Sequence, residues 1–265
     1  MKIKPNNLRK HVLDMVYEKQ SGHIGGSFSL AEIIAYLYEN YDLVDGNDKL
    51  ILSKGHAVPI LYAVLYELGF LKTLEDFREV NSSLQGHPDK QRLSYMHATT
   101  GALGQGLSIG IGHAIAYKMQ YAKNINNKVF CILGDGEIQE GQVWEAFMLA
   151  PKYQLDNLIC IVDYNKAQND GFVKDILDIG DLSCKIESFG WEVVTIDGHN
   201  MQSIEHTFKN LEPRSMLCTK PICVILDTVK GKGVSFMETP AWHAKVPSQE
   251  EYTKALKELD YESNP

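Results

Sequence analysis

Apolar positions follow two patterns along this chain, short continuous runs and the spacing of one helix face, and the stretch at residues 128–171 contains both. An apolar run at 129–133 ends in the tripeptide Gly-Asp-Gly at 134–136, and a second run at 158–162 ends in Asp-Tyr-Asn at 163–165. Between the two runs, apolar residues recur at the spacing of one helix face. Strand, crossover helix and strand at this length predict a parallel βαβ unit, whose strand ends open on the same edge of the sheet.

Similar patterns predict further elements on both sides of this unit. The predicted helices cover 8–19, 30–41, 59–68 and 107–117, and the predicted strands cover 50–53, 190–194 and 222–228. Ser29 is expected to cap the second of these helices, and residues 249–265 are expected to form a terminal helix with a frayed end. Alternating strands and helices indicate an α/β protein.

Asp135 and Asn165 follow the two strands of the βαβ unit, so we expect them to face one crevice, where open α/β sheets bind ligands. A carboxylate and an amide oxygen are hard ligands for Mg²⁺ or Ca²⁺, and Mg²⁺ completes its coordination with water and phosphate oxygens. Gly134 and Gly136 let the backbone approach a phosphate closely, and the helix expected after Gly136 offers free N–H groups. The unit suggests a metal-bound diphosphate. An acidic turn of an ordinary α/β domain is the alternative.

The composition and charge of the chain argue against several classes of protein. The chain has 265 residues, of which 44% are hydrophobic and 23% charged, as is ordinary for a globular protein. A net charge of −8 without any lysine or arginine run argues against nucleic-acid binding. No apolar run reaches the roughly 18 residues of a membrane helix, and the N-terminus has no signal-peptide core. Cys131 and Cys160 lie inside predicted strands and no C-x-x-C occurs among the five cysteines, so we expect a reduced, cytoplasmic protein.

Three loops carry a histidine directly after a glycine, at His23, His56 and His87. A neutral imidazole in such a loop can donate to a phosphate or sugar oxygen, and it titrates near neutral pH. Several such groups around one crevice would suit proton transfer and recognition of a polyol.

Other polar segments allow more than one interpretation. The glycine-rich turn at 99–106 precedes a helix and suits anion binding, yet it matches neither the dinucleotide fingerprint nor the phosphate-binding loop of nucleotide hydrolases. The alternative is that its glycines only allow the following helix to pack tightly. The Lys-Gly-Lys-Gly run at 230–233 suits phosphate binding or a solvated loop. Asp197 and His199 suit either ligand binding or the fixing of a loop.

The Gly-Asp-Gly tripeptide is part of a longer pattern, GDGEIQEG followed by WEA and, thirty residues after Asp135, by N-x-A and DG. This pattern resembles the thiamine diphosphate motif in its transketolase form. Further segments resemble transketolase in transketolase order and extend the resemblance over residues 8–247: QSGHIGGSFSLAEIIAYLY, ILSKGHAVPILYAVLYELG, QGHPD, TTGALGQGLSIGIGHAIAYK and TVKGKGVSF…WHAKVP. The resemblance implies a doubly wound, mostly parallel sheet with helices on both faces. It implies a single diphosphate-binding domain at residues 1–265, with 249–265 as a C-terminal tail.

The resemblance also implies which residues hold the cofactor. Asp135, the side chain of Asn165 and the backbone oxygen of Ala167 match the ligands of Mg²⁺, which Ca²⁺ or Mn²⁺ can replace. Gly136 and Asn165 match residues that contact the diphosphate of thiamine diphosphate.

Four histidines match residues near the reacting groups. His23 and His87 match substrate-facing histidines that assist proton transfer. His56 and His243 match histidines beside the cofactor diphosphate and the reacting sugar, so His243 is expected to serve both cofactor binding and catalysis. Ala244 follows His243 where glycine is usual.

The cofactor ring and the proton relay have matches as well. The backbone of Gly101, Ala102 and Leu103 matches the loop that contacts the aminopyrimidine, with Ala102 at a position that is commonly proline. Glu140 matches a buried glutamate of a proton relay between active sites, and a catalytic role is expected for it.

Full-length transketolases take the glutamate that activates the aminopyrimidine from a second domain, for which 265 residues leave no room. The resemblance therefore implies the N-terminal subunit of a split transketolase, active only with a separate pyrimidine-binding subunit in an α2β2 heterotetramer. Such an enzyme transfers a two-carbon ketol unit from a ketose or ketose phosphate to an aldose. The sequence leaves the donor sugar open.

Two alternatives remain. The α subunit of a 2-oxo acid dehydrogenase shares the cofactor motif, but the histidine loops argue against it. A catalytically silent scaffold subunit would share the fold, but the intact Asp135 and Asn165 argue against it.

Overall fold

A computed structural model describes residues 2–120, 127–211 and 219–261. Their strands are β1 Lys49–Leu52, β2 Val129–Gly134, β3 Leu158–Tyr164, β4 Ala167–Gln168, β5 Gly171–Phe172, β6 Glu192–Asp197 and β7 Ile222–Asp227. Five of them form a parallel sheet in the order β1-β2-β3-β7-β6, while β4 and β5 make a short antiparallel pair.

The described helices cover both sides of this sheet. They are α1 Pro5–Lys19, α2 Gly25–Phe28, α3 Ala31–Asn40, α4 Pro59–Glu67, α5 Gly106–Gln120, α6 Gly141–Lys152, α7 Val173–Ile176, α8 Leu182–Ser188, α9 Met201–Asn210 and α10 Gln249–Tyr261. Proline at the first position of α1 and α4 pre-sets the helical backbone without losing a hydrogen bond. None of these helices is long and apolar enough to cross a membrane.

Side chains of the sheet alternate between two hydrophobic cores. In β2, Phe130 and Ile132 belong to the core shared with α1, α3, α4 and α9. Cys131 and Leu133 belong to the opposite core, shared with α5, α6 and α8. All residues of β2 are buried, as expected for a parallel strand covered on both faces. The predicted α/β sheet with helices on both faces is therefore confirmed.

The central βαβ unit has the predicted order, with β2 and β3 paired in parallel and Gly134 opposite Asp163. The predicted start of its helix is wrong. A short 3₁₀ turn, Gly136–Gln139, follows Asp135, and the α-helix begins at Gly141. The turn is stabilised by Asp135, whose carboxylate accepts a hydrogen bond from the backbone of Gly136.

The predicted cap at Ser29 is also wrong. Leu30 precedes α3 and no side chain caps this helix. The Ser29 hydroxyl instead donates to the buried carboxylate of Asp163, at 2.6 Å. An ionised acceptor forms a stronger hydrogen bond than a neutral partner, which accounts for the difference.

Candidate active site

Each strand of the parallel sheet is followed, at its carboxyl end, by a residue that can bind or position a ligand. Lys54 follows β1, Asp135 follows β2, Asn165 follows β3, Lys230 follows β7 and His199 follows β6. Ligands of open α/β sheets bind at this edge. The fold therefore gathers residues that lie far apart in the sequence.

The turn after β3 is bonded directly to Asp135. The carboxylate of Asp135 accepts a hydrogen bond from the backbone N–H of Lys166, and Asn165 Oδ1 accepts one from Ala167 at 3.2 Å. Lys166 has a φ of 65°, a left-handed conformation that is costly for a residue other than glycine. This turn brings the three predicted metal ligands, Asp135, Asn165 and Ala167, to one place.

Asp163 lies beneath these ligands and is fully buried. Its carboxylate accepts hydrogen bonds from Lys54 Nζ, Thr228 Oγ1 and Asn165 Nδ2, in addition to Ser29. Burial would raise the pKa of Asp163, but the Lys54 ammonium and the hydrogen bonds hold it below its usual value. Because Asn165 donates through Nδ2, its Oδ1 is directed to the turn that carries Ala167.

The carboxylate of Asp135 fits a bound cation. It is 2% exposed, and burial together with the neighbouring charge of Asp163 raises its pKa to about 6. A cation beside it would remove this penalty. One carboxylate, one amide oxygen and one backbone oxygen also agree with the hard ligands that Mg²⁺ prefers. No cluster of three or more His, Cys, Asp or Glu residues in the described ranges forms a metal site, and the predicted set contains only one such residue.

Lys230 places a positive charge at the same site. Its ammonium donates to the backbone oxygen of Ala167 at 3.0 Å and lies 2.8 Å from His243 Nδ1. The side chain is 3% exposed, and burial followed by the charge of Lys54 lowers its pKa to about 8. Sequence patterns did not single out Lys230 or Lys54 as individual site residues. The signal for Lys230 was the Lys-Gly-Lys-Gly run, which suits phosphate binding or a solvated loop, and the signal for Lys54 was its place beside a glycine at a strand end.

Three of the predicted histidines form one cluster. Ring centroids lie 5.2 Å apart for His23 and His56, 5.3 Å for His23 and His243, and 4.9 Å for His56 and His243. Burial, with smaller effects from nearby cations, lowers the pKa of His23 to about 4 and that of His243 to about 3. These imidazoles are therefore neutral at pH 7 and able both to donate and to accept. Among the described residues, buried His23 Nδ1 has no hydrogen-bond partner.

His87 lies at the rim of this cluster. It is exposed, and its pKa is lowered by burial of part of the ring and by the charge of Arg78. A Cβ atom at Gly101 would lie 3.1 Å from the His87 ring, and Gly101 has a φ of 145°. Glycine there allows the loop to pass close to the histidine.

The loop at residues 101–103 is bonded to the rest of the site by Glu137, a residue that sequence patterns did not single out. Its buried carboxylate accepts hydrogen bonds from the backbone N–H of Gly104 at 2.8 Å, that of Gly134 at 3.1 Å, and the Ser53 hydroxyl at 2.5 Å. Glu137 thus joins the end of β1, the turn after β2 and this loop. Ala102 and Leu103 are exposed.

Glu140, which is expected to be buried between active sites, lies on the surface of the single chain. It precedes α6 and is exposed in the isolated chain. It lies beside the loop, since a Cβ atom at Gly104 would lie 2.9 Å from Glu140 Cβ. Within the single chain, the glutamate of this motif that is buried is Glu137, whose carboxylate accepts from the N–H groups described above.

Comparison with known proteins agrees with this geometry. The family described as transketolase, thiamine diphosphate binding domain, matches residues 2–265. The chain is 35% identical to an apulose-4-phosphate transketolase subunit of Phocaeicola vulgatus, over 98% of this chain and 93% of that protein. It is 38% identical to 6-deoxy-6-sulfo-D-fructose transketolase subunit SqwG of a Clostridium species, over 97% and 95%. The crystal structure of Campylobacter jejuni transketolase superposes with a TM-score of 0.88 at 30% identity, and the match spans the whole chain but 43% of that enzyme.

Proposed function

The chain belongs to the transketolase family through its thiamine diphosphate-binding domain, and from this premise we propose that it is the N-terminal subunit of a split transketolase. The reaction is transfer of a two-carbon ketol unit from a ketose or ketose phosphate to an aldose. The observation that carries the proposal is the convergence of Asp135, the Asn165–Ala167 turn, Lys230 and the histidine cluster at one edge of the sheet.

Relative lengths support the split arrangement. The chain covers 93% and 95% of two relatives that are themselves named as transketolase subunits, whereas it covers 43% of the Campylobacter enzyme. We take residues 1–265 as one diphosphate-binding domain with 249–265 as its tail. The tail helix α10 packs on α1, with Tyr252 donating to Asp14 at 2.8 Å and Lys10 paired with Asp260 at 2.5 Å.

The proposed metal-binding and diphosphate-binding roles are based on the oxygen atoms and N–H groups that the residues of the candidate site present. Asp135, Asn165 and Ala167 hold Mg²⁺ through one carboxylate, one amide and one backbone oxygen. Gly136 and Asn165 approach the diphosphate, and Lys230 offsets its negative charge. Thiamine diphosphate, when bound, supplies the nucleophilic carbon for cleaving and re-forming the carbon–carbon bond.

The histidines act on the sugar and its protons. His23 and His87 face the substrate, and neutral His23 can give or take a proton at its unpartnered Nδ1. His56 lies beside the cofactor diphosphate. His243, bonded to the diphosphate-facing Lys230, contacts both cofactor and sugar.

The remaining roles involve the cofactor ring and the partner subunit. The backbone of Gly101, Ala102 and Leu103 contacts the aminopyrimidine. Exposure of Glu140, Ala102 and Leu103 in the single chain supports a partner that covers them and completes the proton relay. We propose a pyrimidine-binding partner chain and an α2β2 assembly. A cytoplasmic location is supported by the free cysteines in the described residues, three of which are buried.

The cofactor role is tested by thermal denaturation of the chain mixed with its partner subunit. Thiamine diphosphate with Mg²⁺ should raise the Tm of the wild-type complex, and Asp135→Ala should abolish this rise because it removes the metal carboxylate. The matched control is Asp175→Ala, a change of an exposed aspartate in α7 that should leave the rise intact. Equal rises in Tm for Asp135→Ala and the wild type would contradict the proposal.

A further inference from the structure

A series of hydrogen-bonded polar side chains, Arg9, Glu32 and His199, connects α1 with the segment that carries Lys230. Nη2 of Arg9 lies 2.7 Å from both carboxylate oxygens of Glu32, and both residues are buried. Arg9 also donates to the backbone oxygen of Phe28 through Nε and Nη2. Burial alone would raise the pKa of Glu32, but Arg9 and His199 together hold it below its usual value. Glu32 is therefore an ionised acceptor in a fixed position.

His199 joins this carboxylate to the backbone after β7. Its Nδ1 lies 3.0 Å from Glu32 Oε2, and its Nε2 accepts a hydrogen bond from the backbone N–H of Val229 at 2.9 Å. A backbone N–H is always a donor, so Nε2 is the unprotonated nitrogen and the proton resides on Nδ1. The His199 side chain is 12% exposed. Nδ1 therefore donates to the Glu32 carboxylate, and Nε2 accepts from the Val229 N–H.

The backbone around Lys230 has three fixed points. Thr228 donates to the backbone oxygen of Tyr164 at 3.3 Å, and Gly231 donates to that of Gly25 at 3.0 Å. The hydrogen bond from Val229 to His199 lies between these two. A Cβ atom at Gly25 would lie 2.8 Å from Lys230 Cγ, so the lysine stem passes directly over this glycine. Small displacements of this segment would move the ammonium away from the oxygen of Ala167.

We infer that His199 is a positioning residue, which sets the place of the Lys230 ammonium by holding Val229 against the Arg9–Glu32 pair. The inference rests on the proposed function, in which Lys230 faces the cofactor diphosphate. The alternative is a purely structural role, in which His199 holds the loop after β6 and does not affect the cofactor.

Two variants separate the two hydrogen bonds of His199. His199→Asn puts an amide near the Nδ1 position, so it keeps the bond to Glu32 and loses the bond to Val229. His199→Gln reaches the Nε2 position, so its amide oxygen keeps the bond to Val229 and loses the bond to Glu32. A structural role alone predicts similar effects for both variants, while the positioning role predicts different effects on the cofactor.

The test is calorimetric titration of the complex of this chain with its partner, using thiamine diphosphate at fixed Mg²⁺. We expect His199→Asn to raise the Kd at least tenfold and His199→Gln to stay within threefold of the wild type. With saturating cofactor, kcat should stay within twofold of the wild type for both variants. In the chain alone, hydrogen exchange at the Val229 amide should accelerate at least tenfold in His199→Asn only.

The outcomes separate the role of His199 from the function of the whole chain. A wild-type complex that does not bind thiamine diphosphate would overturn the proposed function and the inference with it. A wild-type complex that binds, together with equal Kd values for the two variants, would overturn the role of His199 alone. A loss of kcat at saturating cofactor without a change in Kd would also overturn that role.

Discussion

Removing the Glu137 carboxylate should loosen the loop that is proposed to contact the aminopyrimidine. Glu137→Ala leaves the backbone N–H groups of Gly104 and Gly134 buried without an acceptor, while the Ser53 hydroxyl can rotate to another partner. Each unsatisfied buried donor costs about 1–3 kcal/mol. The free energy of unfolding should therefore fall by about 2–6 kcal/mol, the sum for two such donors. At roughly 2–4 °C per kcal/mol, a loss of about 3 kcal/mol lowers the Tm by roughly 6–12 °C.

Thermal and urea denaturation followed by circular dichroism would measure this loss. Glu137→Gln keeps one carbonyl oxygen as an acceptor, so its loss should be intermediate. Glu145→Ala serves as the control, because Glu145 is exposed on α6 and its removal should change stability by less than about 0.5 kcal/mol. The affinity of the reconstituted complex for thiamine diphosphate should fall with Glu137→Ala at temperatures where the variant is still folded. A stability equal to that of Glu145→Ala would refute the reasoning.

Three further changes test other parts of the site and the fold. Asp163→Asn should destabilise the chain by about 3–5 kcal/mol, because it leaves the Lys54 ammonium buried without its ionised partner. Urea denaturation measures this loss of stability, and a loss below about 1 kcal/mol would contradict the buried ion pair. Burial lowers the pKa of His97 from 6.5 to about 4, so its contribution to stability is complete above pH 6.5 and is lost as the pH falls towards 4, by up to about 3 kcal/mol. His97→Asn should flatten the dependence of Tm on pH, whereas the exposed control His206→Asn should leave it unchanged; equal slopes for the two variants would refute this assignment. Lys166→Gly should keep stability within about 1 kcal/mol of the wild type, since glycine adopts the left-handed backbone of this position readily. Lys166→Val should cost more than about 1 kcal/mol, and equal melting temperatures for the two variants would contradict the strain at this turn.

Local patterns in the sequence predicted all five strands of the parallel sheet and most of the longer helices, but they missed α8 and α9 and the short elements α2, α7, β4 and β5. The apolar runs of β2 and β3 and the helical spacing of α6 are short-range signals, and each is sufficient to identify its element. The start of α6 was predicted too early, because a local 3₁₀ turn stabilised by Asp135 precedes the helix. The cap assignment failed because a distant partner took the side chain. Ser29 is the example, because its acceptor Asp163 lies 134 residues away and is recognisable only once the chain is folded.

The residues of the candidate site also divide into those that local motifs identify and those that only the folded structure reveals. Asp135, Asn165 and the histidines lie in motifs with a recognisable resemblance, so the sequence alone named them as candidates, and the structure places them at one edge of the sheet. Glu137 and Lys230 were not singled out, because their importance comes from burial and from partners on other elements. Glu140 is exposed in the single chain, so its expected burial between active sites stays a prediction.

The most direct test of the central claim is a reconstitution assay. The chain is mixed with the polypeptide encoded beside it, thiamine diphosphate and Mg²⁺, and aldehyde release from a panel of ketoses and ketose phosphates is followed with an aldose acceptor present. A split transketolase predicts ketol transfer by the mixture and none by either chain alone. Measurable turnover by this chain without a second polypeptide would contradict the account, and so would a mixture that neither binds thiamine diphosphate nor transfers a ketol unit.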